Sequence, residues 1–182
     1  LAEERKRAEA EQAKQMAAAE AERQRQAELA ARPKVAFSQR LKQLEYPAQG
    51  QIVRRFGEND GLGSNLRGFA VATRAEAQVT APADGKVEFS GPFRSYGQLL
   101  ILDAGEGYLI LLAGMERITS EMGQTVRAGE PVAMMGKGPS SVTLLGDRMQ
   151  ETRPVLYIEL RKNGDAVDSA PWWIGGMREA SK

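Results

Sequence analysis

The feature that most constrains the fold is a change of texture at Tyr46, after which short apolar runs alternate with glycine, proline, asparagine and aspartate. Short runs rich in Val, Ile, Leu and Phe, each bounded by turn formers, are typical of strands in an all-β sandwich or barrel. The sequence therefore predicts a mainly β domain over residues 46–182. Its predicted strands are 51–56, 68–73, 77–80, 85–91, 97–103, 107–113, 131–135, 154–161 and, near the end, 165–168.

Residues 1–32 have a different composition, without glycine or proline and dominated by Ala, Glu, Gln, Lys and Arg. These residue types are strong helix formers, and opposite charges such as Glu3 and Arg7 fall four positions apart, where they stabilise a helix. The large apolar residues, Leu1, Met16 and Leu29, form only a weak heptad seam. We interpret 1–32 as a helical arm at the end of a longer coiled coil; a solvated, fraying helix is the alternative.

The connection between these two regions, residues 33–45, begins with Pro33, which ends or kinks the preceding helix. Within 34–45, Phe37, Leu41 and Leu44 fall at i, i+4 and i+7 and predict a short amphipathic helix with one apolar stripe. Two roles stay open for this stripe. It caps the following domain, or it belongs to a movable, autoinhibitory arm that covers a functional surface.

The composition excludes several kinds of chemistry, because the chain contains neither histidine nor cysteine. Their absence removes the commonest general base, the Ser-His and Cys-His nucleophile pairs, and nearly every protein zinc site. The net charge of +1 gives no indication of nucleic-acid binding. We therefore expect no metal, no cofactor and no nucleic-acid partner. Absence of cysteine fits an exported bacterial protein, and the start at Leu1 is typical of a fragment or processed chain.

Two similar strand–turn–strand segments, "VTAPADGKVEFSG" (79–91) and "GQTVRAGEPVAMMG" (123–136), flank a hairpin in "SYGQLLILDAGEGYLILLAG" (95–114). A further strand ends in the Asn-Gly turn of "LYIELRKNG" (156–164), and "APWW" follows it. This series of motifs resembles a LytM-type, or lysostaphin-like, zinc peptidase domain over about residues 46–174. The resemblance implies a β-sheet or barrel-sandwich fold of the kind that cuts peptide cross-links in bacterial cell walls.

The same resemblance assigns the family's zinc ligands and assisting histidine to particular positions of this chain. The ligand positions fall on Leu66 and Ala70 in "LRGFA" and on the strand containing Val155 and Tyr157, and the assisting histidine falls near Gly114. One phenol cannot build a tetrahedral zinc site, and without zinc no water is activated at neutral pH. We therefore expect a degenerate domain that is not an enzyme.

Among such domains, the chain resembles degenerate LytM proteins of the EnvC type, the murein hydrolase activators. In that family a coiled coil engages a membrane division complex, and the LytM groove binds and switches on a periplasmic cell-wall N-acetylmuramoyl-L-alanine amidase. The resemblance implies the same roles here for the arm 1–32 and the domain 46–182. One departure is the segment 137–152, which is longer than the expected tight loop, and its relation to the groove stays open.

The former active-site cleft is then expected to serve as a recognition groove. The residues expected to line it are Arg67, Ala70, Tyr96, Tyr157 and Arg161. Tyrosine and arginine dominate binding hot spots, so the arginines are expected to pair with partner carboxylates and the tyrosines to contact a docked helix. Ala70 is expected on the groove floor, where its small size allows close approach.

Other readings of the sequence remain open. A barrel-sandwich adaptor or carrier-like binding module of an envelope complex shares motifs such as "APADGKV". A carrier needs a lysine at an exposed hairpin tip, whereas the tips here are Asp84-Gly85 and 105–107, and an adaptor needs a second helix, for which 169–182 is too short. An enzyme using only carboxylates, such as a glycosidase, is a further alternative, although no acidic pair stands out.

Overall fold

The computed structural model describes residues 1–31, 35–140, 142–145 and 151–176, and the chain divides into two compact units, Leu1–Lys34 and Val35–Lys182. The first unit is one helix, α1, spanning Ala2–Ala31. Its described side chains are exposed or, at Arg25 and Gln26, half-buried, as expected for a sequence without a broad apolar face. No helix in the described part of the chain is long and apolar enough to cross a membrane. Coiled-coil pairing of α1 remains a prediction.

The second unit is built from antiparallel β-strands connected by glycine-rich turns. Within the described residues the strands are β1 (Gly50–Arg54), β2 (Phe69–Thr73), β3 (Gln78–Thr80), β4 (Gly85–Phe93), β5 (Gly97–Gly105), β6 (Tyr108–Met115), β7 (Arg117–Ile118), β8 (Thr125–Val126), β9 (Pro131–Met134), β10 (Val155–Lys162) and β11 (Asp165–Val167). The prediction of a mainly β domain preceded by one N-terminal helix is confirmed.

The strands form two sheets. The larger has the order β1-β2-β10-β6-β5-β4-β8, with β11 also pairing with β10, and the smaller has the order β3-β9-β7. The long hairpin β5–β6 and strand β10 therefore lie in the middle of the large sheet, where neighbours on both sides satisfy their backbone groups. This central position fixes the side chains of β10 on two well-defined faces.

Alternation along β10 separates two buried clusters. Leu156, Ile158 and Leu160 belong to a large core that also contains Val79 of β3 and Val132 of β9. Because successive side chains of a strand point to opposite faces, the residues between them belong to the other face of the large sheet. That second face carries the candidate site.

The segment 35–45 differs from its prediction. The predicted helix is reduced to one 3₁₀ turn, Phe37–Arg40, and the predicted stripe does not form, because Leu41 is 50% exposed while Phe37 and Leu44 are buried. Phe37 stacks on Trp172 with ring centroids 4.5 Å apart, and both Phe37 and Leu44 belong to the core shared with the small sheet. Phe37 and Leu44 therefore pack in the core on the opposite face of the large sheet from the groove, whereas Leu41 is exposed.

Candidate functional site

The second face of the large sheet brings together the positions that the LytM resemblance singled out. Ala70 on β2 pairs with Tyr157 on β10, and Tyr157 pairs in turn with Ala113 on β6. Leu66, which precedes β2, and Val155 belong to the same buried cluster. We call the surface formed by these five residues the groove floor.

Gly114 lies at the edge of the groove floor with a positive φ of 99°. A Cβ at this position would lie 2.3 Å from the carbonyl oxygen of Val155 and 2.9 Å from the side chain of Val142. Glycine is therefore required here both by the backbone conformation and by the close approach of β10. The position that the resemblance assigned to an assisting histidine has no room for a side chain.

The chemistry of the groove floor does not fit a zinc ion. Leu66, Ala70 and Val155 offer only hydrocarbon, and Tyr157 is 1% exposed. Burial, followed by the charge of Glu159, raises the pKa of the Tyr157 phenol far above its usual value, so the hydroxyl stays protonated and is a poor metal ligand. Among the described residues, no group of three or more Asp, Glu, His or Cys side chains is placed to hold a metal ion.

A charged network lies on the same face of the large sheet and begins at Glu159, two residues along β10 from Tyr157. Glu159 is completely buried, and its carboxylate accepts hydrogen bonds from Arg161 Nη2 at 3.4 and 3.5 Å. The Tyr96 hydroxyl donates to Glu159 Oε2 at 3.2 Å and accepts from Arg161 Nη2 at 3.3 Å. Burial, with a further contribution from Glu159, raises the pKa of Tyr96. The Glu159 carboxylate is thus paired with Arg161 inside the groove and is not presented to a substrate.

The predicted groove residues occupy three different environments. Arg67 is exposed beside the start of β2, and Tyr96 and Arg161 are half-buried at the rim. Ala70 lies on the floor, as the sequence analysis expected, but it is fully buried, and Tyr157 is also buried. The expectation that Tyr157 is directly available to a partner is therefore wrong for this conformation, because other side chains cover its ring.

The covering residues come from the connection between β9 and β10, which the sequence analysis noted for its length without assigning it a role. We call residues 137–140 and 142–145 the groove segment. Val142 and Leu145, 8% and 2% exposed, belong to the same buried cluster as the groove floor. The signal in the sequence is the apolar "SVTLL" inside an otherwise polar loop.

Hydrogen bonds fix the groove segment at three points. Ser140 Oγ donates to the Gly114 carbonyl and accepts from the Val155 amide, each at 2.9 Å. The Thr143 hydroxyl donates to the Ser95 carbonyl at 3.4 Å. Arg54 Nη2 donates to the Leu145 carbonyl at 3.5 Å. The first pair has good geometry, whereas the other two are at the long limit of hydrogen bonding.

The open end of the groove is aromatic. Tyr96 lies 6.1 Å from Tyr157 between ring centroids and 6.2 Å from Phe93, which in turn lies 5.7 Å from Phe89. Phe93 is 42% exposed. This series of rings leads from the surface of the β4–β5 hairpin to the buried groove floor.

Two cavities border the large sheet. One of about 410 Å³ is lined by Leu66, Arg67 and residues of the turn before β11. Another of about 660 Å³ lies at the β1 edge and is lined by polar residues including Gln51, Arg74 and Arg153. Arg153 already binds Glu151 at 2.7 Å, which lowers the pKa of that carboxyl to about 2. Neither cavity contains a set of groups suited to catalysis.

The chain has relatives of low sequence identity among known proteins. It is 28% identical over 130 residues to the murein hydrolase activator EnvC of Escherichia coli (strain K12), covering 71% of this chain and 29% of EnvC. It is 31% identical over 124 residues to a lipoprotein NlpD/LppB homolog of Pseudomonas aeruginosa, covering 68% of this chain and 37% of the homolog. The chain thus spans only a minor part of the length of these relatives.

The fold is also found among solved structures. A putative peptidase M23 from Pseudomonas aeruginosa superposes with a TM-score of 0.59 at 22% identity, over 86% of this chain and 61% of that one. At this identity the likeness concerns the fold alone.

The family description "Peptidase family M23" matches residues 64–169, which is more than half of the sequence. The chain belongs to peptidase family M23.

Proposed function

We propose that this chain, a member of peptidase family M23, is a non-catalytic activator of a cell-wall N-acetylmuramoyl-L-alanine amidase. It binds the amidase through the groove during cell division, in the periplasm. The observation that carries the proposal is the convergence of Leu66, Ala70, Val155 and Tyr157 in one buried apolar cluster. The scaffold positions that the resemblance assigns to zinc are brought together, yet their side chains cannot hold it.

The remaining polar groups on this face support a binding role over a catalytic one. A general base must be able to reach a water or substrate proton, but Glu159 is buried and already accepts hydrogen bonds from Tyr96 and Arg161. The network therefore stabilises the shape of the groove. It also orients Arg161, whose side chain is 29% exposed, toward the rim.

The rim has the composition of a protein-binding surface. Tyrosine and arginine are the residue types that most often supply binding energy at interfaces, and Arg67, Tyr96 and Arg161 lie there together with the exposed Phe93. A partner segment with an apolar face and one or two carboxylates would match these side chains. Two relatives named as murein hydrolase activators, EnvC and NlpD, support assigning this partner to cell-wall hydrolysis.

The helical arm has a separate role in the proposal. Residues 1–32 form the end of a coiled coil that engages a membrane division complex, residues 33–45 are a linker and cap, and residues 46–182 are the amidase-binding domain. The 30 residues of α1 extend for about 45 Å at the usual rise of an α-helix.

The carrier-like alternative receives no support from the hairpin tips. The lysine nearest to the β5–β6 tip, Lys162, is half-buried, donates to the carbonyl of Glu106 and lies 4.1 Å from the centroid of the Tyr108 ring. A lysine held in this way is not presented for attachment of a prosthetic group.

The test is an assay of dye release from labelled peptidoglycan with purified N-acetylmuramoyl-L-alanine amidases. The chain alone should release nothing, and the chain with its cognate amidase should release dye at least tenfold faster than the amidase alone. Release of soluble fragments by the chain alone would show that it is an enzyme. Absence of both stimulation and binding across the amidases would reject the proposed partner.

A further inference from the structure

The groove segment occupies the groove in a way that resembles a docked ligand. Val142 and Leu145 lie three positions apart around the 3₁₀ turn Thr143–Leu145, and side chains at this spacing lie on one side of such a turn. Both are buried with the groove floor. The groove floor is therefore shaped to receive two aliphatic side chains from one helical turn.

The backbone beside the groove floor offers a polar contact to the same turn. The Gly114 carbonyl and the Val155 amide are bridged by the single hydroxyl of Ser140. Gly114 and Val155 lie just beyond Ala113 and Tyr157, the last residues that pair between β6 and β10. Any group that replaces Ser140 has to supply one donor and one acceptor at this point.

Two arginines of the large sheet, Arg54 and Arg161, have guanidinium groups that are incompletely hydrogen-bonded. The buried Nε atoms of Arg54 and Arg161 make no hydrogen bond to any described residue. Arg54 approaches Glu58 only at 3.8 Å and reaches the groove segment only through its long contact with Leu145. A segment carrying carboxylates would satisfy these guanidinium groups better than the groove segment does.

We propose that the groove segment is an internal substitute for the partner. It occupies the docking site for a helical turn with two aliphatic side chains three positions apart and a flanking carboxylate, and it leaves the groove when that turn binds. This inference rests on the proposed function and identifies the part of the groove that the amidase uses. Because the closed form cannot bind, its population lowers the apparent affinity by the fraction that is open.

The first experiment locks the groove segment in place. The chain has no cysteine, so a Ser95→Cys, Thr143→Cys variant can form only one disulfide, at the contact between these two residues. The oxidised protein should stimulate the amidase at least tenfold less than the same protein after reduction. The single variants Ser95→Cys and Thr143→Cys, under the same oxidising and reducing conditions, should show no such difference.

The outcomes separate this inference from the proposed function. If the wild-type chain and the reduced variant fail to stimulate any amidase, the proposed function is wrong. If the oxidised and reduced forms stimulate equally, the amidase does not need the covered groove floor and the inference is overturned.

A second experiment needs no partner and decides the matter if the disulfide does not form. In an Ala70→Cys variant the single thiol lies on the groove floor and should react slowly with a thiol reagent. Adding Val142→Ser and Leu145→Ser should raise the rate at least tenfold, whereas Leu44→Ser, which loosens the opposite core, should not. An unchanged rate in the folded Val142→Ser, Leu145→Ser protein would show that the groove segment is not the cover.

Discussion

Ala70 lies directly opposite Tyr157 where β2 pairs with β10, so the smallest side chain of the groove floor faces its largest. The neighbour on the other side of Tyr157 is Ala113, which is also small. The aromatic ring therefore fills the space between two alanines, and a Cβ at Gly68 would meet its hydroxyl at 2.9 Å. In this arrangement Tyr157 packs within the groove floor, and under our proposal it contacts the partner only after the groove segment leaves.

The first prediction concerns metal content. Protein purified without added metal should contain far less than one equivalent of zinc, because the groove floor provides hydrocarbon and one protonated phenol. Elemental analysis of the purified chain measures this directly. Zinc near one equivalent that survives dialysis against a chelator would contradict the interpretation of the groove.

The second prediction separates the packing of Tyr157 from its chemistry. Tyr157→Ala should lower the free energy of unfolding by about 3–5 kcal/mol, because it removes a fully buried aromatic ring and leaves a cavity. Tyr157→Phe retains the ring and should cost far less. Chemical denaturation of the two variants gives the comparison, and equal stability of wild type and Tyr157→Ala would place the ring outside the core.

The third prediction concerns the ion pair beneath the rim. Arg161→Ala leaves the buried Glu159 without its guanidinium partner, and removing one member of a fully buried pair typically costs 3–5 kcal/mol. Because the Arg161 side chain is 29% exposed, we expect a smaller loss of about 2 kcal/mol. The double variant Glu159→Leu, Arg161→Met should recover most of this loss in a denaturation experiment. No recovery would mean that Arg161 stabilises the fold through packing alone.

The strands could be predicted because their signal is local. Apolar residues in β10 such as Leu156 and Ile158 alternate with others that meet a second buried face, and the Asn-Gly pair after them marks the turn. The two-residue strand β7 was missed because Arg117 and Ile118 carry no strand pattern of their own and pair only through the tertiary contact with β9.

The candidate site was predicted less well, for a physical reason. The spacing predicts that Phe37, Leu41 and Leu44 share a helical face, but the chain forms only one 3₁₀ turn there. Phe37 instead stacks on Trp172 in the opposite core. The hydrogen bond between Tyr96 and Glu159 joins residues 63 positions apart. No local pattern specifies such a contact, or shows that the groove segment folds back over the floor.

The fourth prediction tests the segment before β1. Relative to a chain starting at residue 35, a chain starting at residue 46 should lose about 3 kcal/mol or more of stability, since Phe37 alone is a buried aromatic. It should not stimulate the amidase more strongly, because Phe37 and Leu44 belong to the core away from the groove. Denaturation and dye release measure the two effects. Higher stimulation by the shorter chain at equal folded concentration would restore an inhibitory role to residues 35–45.

The last prediction compares two arginines at the two ends of β2. Arg67 precedes the strand at the groove, and Arg74 follows it at the opposite end; both are exposed. Arg67→Ala should weaken amidase binding by about 2 kcal/mol, roughly thirtyfold, if Arg67 is a hot spot that pairs with a partner carboxylate. Arg74→Ala removes the same charge away from the groove and should leave the affinity nearly unchanged.

Neither substitution should alter the free energy of unfolding by more than about 0.5 kcal/mol, because surface substitutions rarely do. Titration calorimetry and denaturation provide both quantities. Equal affinities of the two variants would show that charge near β2 acts only in general attraction, and that the partner does not dock at the Arg67 end of the groove.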